Sequence, residues 1–164
     1  MRPQIFLPAT LLVVLAAPAA AGPGATSWAV WDAGLQQARQ RQRPVLVDVY
    51  TQWCGWCRRM DREVYTRDDV RDYLSQKFVT VKLDAEASES VRYEGRTFTS
   101  RTLATHFRVT GYPTTLFLKP NGEYLVSVPG YVEPEKFLLL LRYIGDGHLE
   151  RGVVWEDYIA KRGK

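Results

Sequence analysis

The chain has 164 residues, room for one domain with a substantial core and too few for two ordinary ones. Apolar residues make up 46%, aromatic residues 12% and charged residues 24%, a globular profile that excludes disorder, collagen and coiled coil. The 22 Lys and Arg outnumber the 18 Asp and Glu for a net charge of +4, but they are interleaved with the acids. A nucleic-acid footprint would cluster its basic residues, so that class of partner is set aside.

The first 21 residues read as a signal peptide. Arg2 supplies the positive start, Ile5 to Leu15 are apolar except for Pro8 and Thr10, and Ala19-Ala20-Ala21 offer small residues to a signal peptidase. The apolar run falls short of the roughly 20 residues a membrane span needs; an uncleaved anchor is the alternative. No cysteine follows the run, so a lipid anchor on one is excluded. The expected location is outside the cytoplasm, most simply a bacterial periplasm, where disulfides persist.

Ser27 is placed to cap a helix that shows Trp28, Trp31, Leu35 and Ala38 on one face and stops at Pro44. Val45 to Tyr50 has the near-continuous β-branched and aromatic character of a strand buried on both faces, interrupted by Asp48, where burial of a charge is costly. Cys54 to about Val64 predicts a helix. Thr66 and Asp69 suggest a capping box for the next one, with Val70, Tyr73 and Leu74 inward. Phe78 to Leu83 predicts a strand. Residues 84–99 are polar, contain Gly95 and read mainly as a long excursion, after which Ser100 can cap a helix through Phe107.

Thr114 to Leu118 and Glu123 to Val128 predict two strands joined at Lys119-Pro120-Asn121-Gly122, a strong hairpin signal. Pro134 opens a helix with Phe137, Leu138, Leu140, Leu141 and Ile144 apolar, ended by Gly145, and a short helix follows from Trp155 to Ile159. The order predicts one α/β domain with a mixed sheet.

The chemistry lies in Trp53-Cys54-Gly55-Trp56-Cys57, which holds both cysteines of the chain. A structural disulfide ties distant segments, whereas this pair closes a tiny loop. Cys54 falls where a buried strand meets a helix, and the free N–H groups and dipole there favour a thiolate. Cys57 follows nearly one turn later, within reach of Cys54. Attack, mixed disulfide and resolution are the steps such a pair can run. Arg58 and Arg59 add positive charge as a secondary effect. Arg58 stands where a c-type haem site needs histidine, so that reading fails. His106 and His148 are too far apart for a zinc pattern and read as surface or capping residues. Copper delivery through Cys54 and Cys57, with Met60 or a distant histidine, stays open; Met60 by itself reads as core filler.

The run from Val45 to Cys57 resembles the active-site strand and helix of thioredoxin, and Gly111-Tyr112-Pro113-Thr114 resembles that family's cis-proline loop. The Trp31 helix and Arg43-Pro44 look like thioredoxin-like proteins of the bacterial envelope, including the C-terminal domain of the DsbD type. The resemblance spans about residues 27–145 and implies a thioredoxin fold over 22–164: a central mixed sheet flanked by helices, with a longer segment before the cis-proline loop.

By position it implies Cys54 as nucleophile, Cys57 as resolving thiol and Asp48 as the buried acid that exchanges a proton with it. Lys82 matches the lysine beside that acid. Tyr112 and Pro113 match the substrate-facing loop, and Trp53, Gly55 and Trp56 are expected in the docking surface. The resemblance implies a thiol–disulfide oxidoreductase with no bound cofactor or metal, acting as a monomer on cysteine-containing secreted proteins. A membrane electron donor of the DsbD or CcdA type would keep it reduced. Oxidising relatives usually carry His before the second cysteine, where Trp56 stands, so a reductase is expected; a disulfide donor or isomerase is the alternative. Two departures stand out: Gly-Trp replaces Gly-Pro between the cysteines, and residues 84–113 exceed the minimal length.

Overall fold

The six residues Val45–Tyr50, aliphatic at Val45, Leu46, Val47 and Val49, form β1, buried along nearly its whole length. In the structure, a computed structural model describing residues 26–161, β1 is one of two inner strands of a four-stranded sheet. The elements in chain order are α1 (Trp31–Arg41), β1, α2 (Gly55–Glu63), α3 (Asp68–Lys77), β2 (Val79–Asp84), β3 (Ser90–Tyr93), β4 (Arg96–Thr99), α4 (Ser100–His106), β5 (Thr114–Leu118), β6 (Tyr124–Pro129), α5 (Pro134–Gly145) and α6 (Trp155–Ala160). The sheet runs β2-β1-β5-β6, with β1 parallel to β2 and antiparallel to β5, and β5 antiparallel to β6. This is the mixed, helix-flanked sheet expected. The expected signal peptide lies outside the described residues. Among those described, no helix is long and apolar enough to cross a membrane.

Alternation along the strands divides the core. Val45, Val47 and Val49 point to the face covered by α1 and α4, where Trp31, Leu35, Ala38 and Leu103 meet Val81 and Leu116. Leu46 and Phe117 point to the other face, against Met60, Val70, Leu74, Phe137 and Leu141 of α2, α3 and α5. Asp48 shares the parity of Leu46, so its carboxylate enters this second layer. The register sets it opposite Lys82 on β2 and Thr115 on β5. Met60 is fully buried here, as its reading as core filler requires.

Several expectations are corrected. The first helix starts at Trp31, with no side-chain cap. Residues 27–30 instead stay extended along β2: Ala29 bridges Val81, and the Ser27 carbonyl accepts the Thr80 hydroxyl. Trp28 therefore packs against Tyr65 on the opposite face from Trp31. Gly34 lets α1 settle onto β2, since a Cβ there would stand 2.2 Å from Cγ2 of Val81.

The capping box at Thr66 and Asp69 does not form. Thr66 donates back to the Arg62 carbonyl, Arg67 is the N-cap without a side-chain bond, and its guanidinium grips Asp69. Of the three inward residues, Val70 and Leu74 are buried and Tyr73 is not fully so. The polar excursion contains the β3–β4 hairpin, which buries Val91 and Tyr93 and turns through Glu94 and Gly95, both at positive φ. The cap of α4 is Thr99, in a reciprocal box with Thr102, one residue before the expected Ser100. Gly145 is the last residue of α5; its missing side chain admits Phe78 and Tyr73, and the left-handed glycine comes later, at Gly147.

Candidate active site

The chain leaves β1 at Tyr50 and enters α2 at Gly55, so Cys54 occupies the N-cap of α2, in extended conformation. Its Sγ accepts the backbone N–H of Cys57 at 3.0 Å and is bonded to Cys57 Sγ. The cap hydrogen bond and the helix dipole both favour negative charge on Cys54 once the disulfide is opened. Both cysteines are buried, yet the tryptophans beside them are not: Trp53 is 65% and Trp56 55% exposed.

Each indole is braced. Trp53 donates to Oε1 of Glu86 at 3.0 Å and meets the Tyr112 ring edge-on at 6.1 Å, which brings the Tyr112–Pro113 loop against the cysteine loop. The Tyr112–Pro113 peptide bond is cis. Trp56 packs on Tyr131 at 5.6 Å, and the Arg59 guanidinium lies over both rings. Glu63 fixes that guanidinium at 2.8 Å and accepts the Tyr131 hydroxyl at 3.0 Å. Arg58 turns away to the Gln52 carbonyl. Gly55, between the pair, begins the helix.

Lys82 of β2 joins two carboxylates in a line of charges. Lys82 Nζ stands 2.5 Å from Oδ2 of Asp48 and 2.6 Å from Oδ1 of Asp61, a bridge from a carboxylate that is 1% exposed to one on the surface. Burial pushes the Asp48 carboxyl above the usual carboxylate range, and the attraction and hydrogen bond of Lys82 only partly offset it. Burial works against the Lys82 ammonium, but its two carboxylates outweigh that and hold its proton more tightly than usual. The faces of Trp28, Tyr50 and Tyr65 surround Nζ at 4.8, 4.9 and 5.7 Å.

The structure thus brings Asp48 and Lys82 together, and Trp53 against Tyr112. The histidines are engaged elsewhere: His106 with Tyr93, Phe98 and Phe107, and His148 with Tyr143 and Tyr158. Asp61 and Glu86 escaped the sequence reading. Asp61 carried one usable signal, its place four residues after Cys57 and hence on the same side of α2. Glu86 carried none, because its reach to Trp53 depends on the course of the loop after β2.

The family described as "thioredoxin-like domain" matches residues 31–145. The chain belongs to that family. This thioredoxin-like chain is 32% identical over 111 residues to "thiol:disulfide interchange protein DsbD" of Tatumella citrea, an alignment covering 65% of the chain and 18% of the relative. It therefore spans less than a fifth of that relative's length. A thioredoxin from Thermus thermophilus superposes with TM-score 0.60 at 25% identity, covering 76% of this chain and 96% of the other. A thioredoxin-fold protein from Helicobacter pylori superposes with TM-score 0.62 at 22% identity, covering 74% and 80%, a likeness of fold alone. With its CxxC pair in place, the chain is a thioredoxin-like thiol–disulfide oxidoreductase.

Proposed function

We propose that this oxidoreductase works as a reductase outside the cytoplasm, opening disulfides in secreted proteins and drawing electrons from a membrane donor of the DsbD or CcdA type. The observation that carries the reading is the cysteine pair at a helix N-cap, flanked by exposed indoles, on the helix that follows a strand holding a buried carboxyl of raised proton affinity. The likeness to DsbD supports the electron source, and the N-terminal apolar stretch of residues 1–21 supports export. Trp56 before the second cysteine supports the direction, since no imidazolium stands there to stabilise the reduced form.

In the reducing turn, the Cys54 thiolate attacks a substrate sulfur, and the other substrate sulfur leaves as thiolate. Asp48, as carboxylate, takes the Cys57 proton; Cys57 then attacks Cys54 Sγ, releasing the second substrate thiol and leaving the protein oxidised. No bound cofactor takes part, and the docked chain lies along Trp53, Trp56, Tyr112 and Pro113.

Alkylation trapping in living cells tests the direction. A reductase holds Cys54 and Cys57 mostly as thiols, and a mostly oxidised pair would make it a disulfide donor. The reduction potential against glutathione is expected between those of thioredoxin and protein disulfide isomerase, about −270 to −180 mV, and a value near about −120 mV would overturn the reading.

A further inference from the structure

Three polar atoms in the second core layer have no hydrogen-bond partner in the disulfide form: Oδ1 of Asp48, the Tyr65 hydroxyl and the Thr115 hydroxyl. They come from three separate elements, namely β1, the turn after α2 and β5. They also adjoin one another, for the Tyr65 hydroxyl lies in range of both Asp48 and Thr115 without closing a hydrogen bond to either. Leaving such groups unpaired is costly in a dry core. The Tyr65 ring does not need its hydroxyl to pack: it meets Trp28 at 4.8 Å and Phe137 at 5.6 Å, both edge-on. A phenylalanine would fill the same space.

We propose that Tyr65 is a positioning residue for proton transfer, its hydroxyl donating to Oδ1 of Asp48 when that carboxyl ionises, with the Thr115 hydroxyl donating in turn to Tyr65. Lys82 occupies only Oδ2 of the carboxylate. Oδ1 is then the position that a second donor must satisfy if Asp48 is to take a proton from Cys57 and give it back. Tyr65 meets that need without losing its own proton, because burial and the charges of Asp48 and Asp61 hold that proton well beyond the ordinary range. A chain of donors, Thr115 to Tyr65 to Asp48, strengthens each link.

In the disulfide form the charged and titratable groups acting on Asp48 among the described residues are Lys82 from β2, Asp61 from α2, Tyr65 from the turn after α2, and Tyr50 from β1 itself; in the reduced chain the Cys57 thiol, its proton partner in the proposed function, joins them. Lys82 and Tyr65 favour its ionised form and Asp61 opposes it. Among the four, Tyr65 alone is a neutral donor in the core layer, so its hydroxyl can be removed without changing net charge.

This inference rests on the oxidoreductase reading, and the experiment separates the two. The reduced full chain, labelled with 13C at aspartate carboxyls, is titrated by NMR as wild type, Tyr65→Phe and Thr115→Val, and the pH profile of disulfide reduction is recorded beside it. Tyr65→Phe is expected to raise the Asp48 titration by about one pH unit, the size of one lost hydrogen bond to a charged group. The acid limb of the rate profile should rise by the same amount, with rates converging at high pH. Thr115→Val should move both in the same direction by less, and the double variant should move them no further than Tyr65→Phe alone.

An Asp48 titration unchanged in a folded Tyr65→Phe would overturn the proposal. Should that variant fail to fold, an unchanged titration in Thr115→Val would do so. A wild type that fails to reduce disulfides would sink the oxidoreductase reading and leave the NMR result standing on its own.

Discussion

Trp53 and Trp56 stand in solvent beside the cysteines, Trp53 held by Glu86 and Trp56 by Tyr131 and the Arg59–Glu63 pair, whereas Asp48, Tyr65 and Thr115 lie in a core layer closed to water. The two regions differ in what a charge does there. At the surface, the Arg59–Glu63 pair is screened and serves to fix a ring, so its energetic weight is small. In the buried layer water is excluded, so ionising Asp48 is costly: its proton affinity is raised, and its ammonium partner offsets that cost only in part. In the proposed function the aromatic surface chooses what docks, and the buried layer times when a proton moves. Substitutions in the two regions should therefore leave different kinetic signatures.

Loss of the cysteines is expected to have the largest effect. Cys57→Ser should abolish turnover and leave Cys54 covalently tied to its partners, because a hydroxyl cannot expel the mixed disulfide. Cys54→Ser should also be inactive but trap little, since the remaining thiol lacks the N-cap position. Acid quenching, thiol blocking and non-reducing gels read both outcomes. Equal trapping by the two variants would reverse the assignment of nucleophile.

Asp48→Asn should slow reduction by on the order of 10²-fold near neutral pH, the usual scale for a lost proton acceptor. Its stability should move the other way. The folded-state proton affinity of Asp48 is raised, so folding takes up a proton as pH climbs past the unfolded value. The stability Asp48 contributes is full below the unfolded pKa and is lost as pH rises through the folded one. Asn carries no such loss, and Lys82 keeps Asp61 as a partner. The urea midpoint of Asp48→Asn should thus exceed that of wild type by more at pH 8 than at pH 4. A gap that shrinks with pH would mean that Asp48 is held ionised in the fold.

What could be read from the sequence follows the same division. The strand Val45–Tyr50 and the cap position of Cys54 were legible because they depend on local pattern: a buried run, then a helix start. Asp48 was conspicuous as a charge inside that run. Tyr65 was not, because apolar spacing marks a ring as inward without saying where its hydroxyl ends. Only the β1–β5 register and the turn after α2 bring it beside Thr115 and Asp48. Trp28 was misplaced for a related reason, since its apparent helical spacing from Trp31 hid the bridge of Ala29 to Val81. The β3–β4 hairpin escaped because four-residue strands carry too little alternation to stand out among charges.

The smallest effects belong to the aromatic surface, and they sharpen the contrast most. Trp56→Ala removes an exposed ring, so stability should change by no more than about 0.5 kcal/mol. KM for a protein disulfide should rise roughly three- to tenfold, the weight of one docking aromatic. The rate with a small disulfide, which needs no docking surface, should hardly change, and the pH profile should superpose on wild type because no titrating group of the buried layer is touched. Glu86→Gln should do less still, below about twofold in KM, since glutamine can accept the Trp53 N–H in place of the carboxylate and the lost charge is exposed. A shift of the pH profile in either variant would show that the surface and the buried layer are coupled, and that the indoles take part in proton transfer as well as docking.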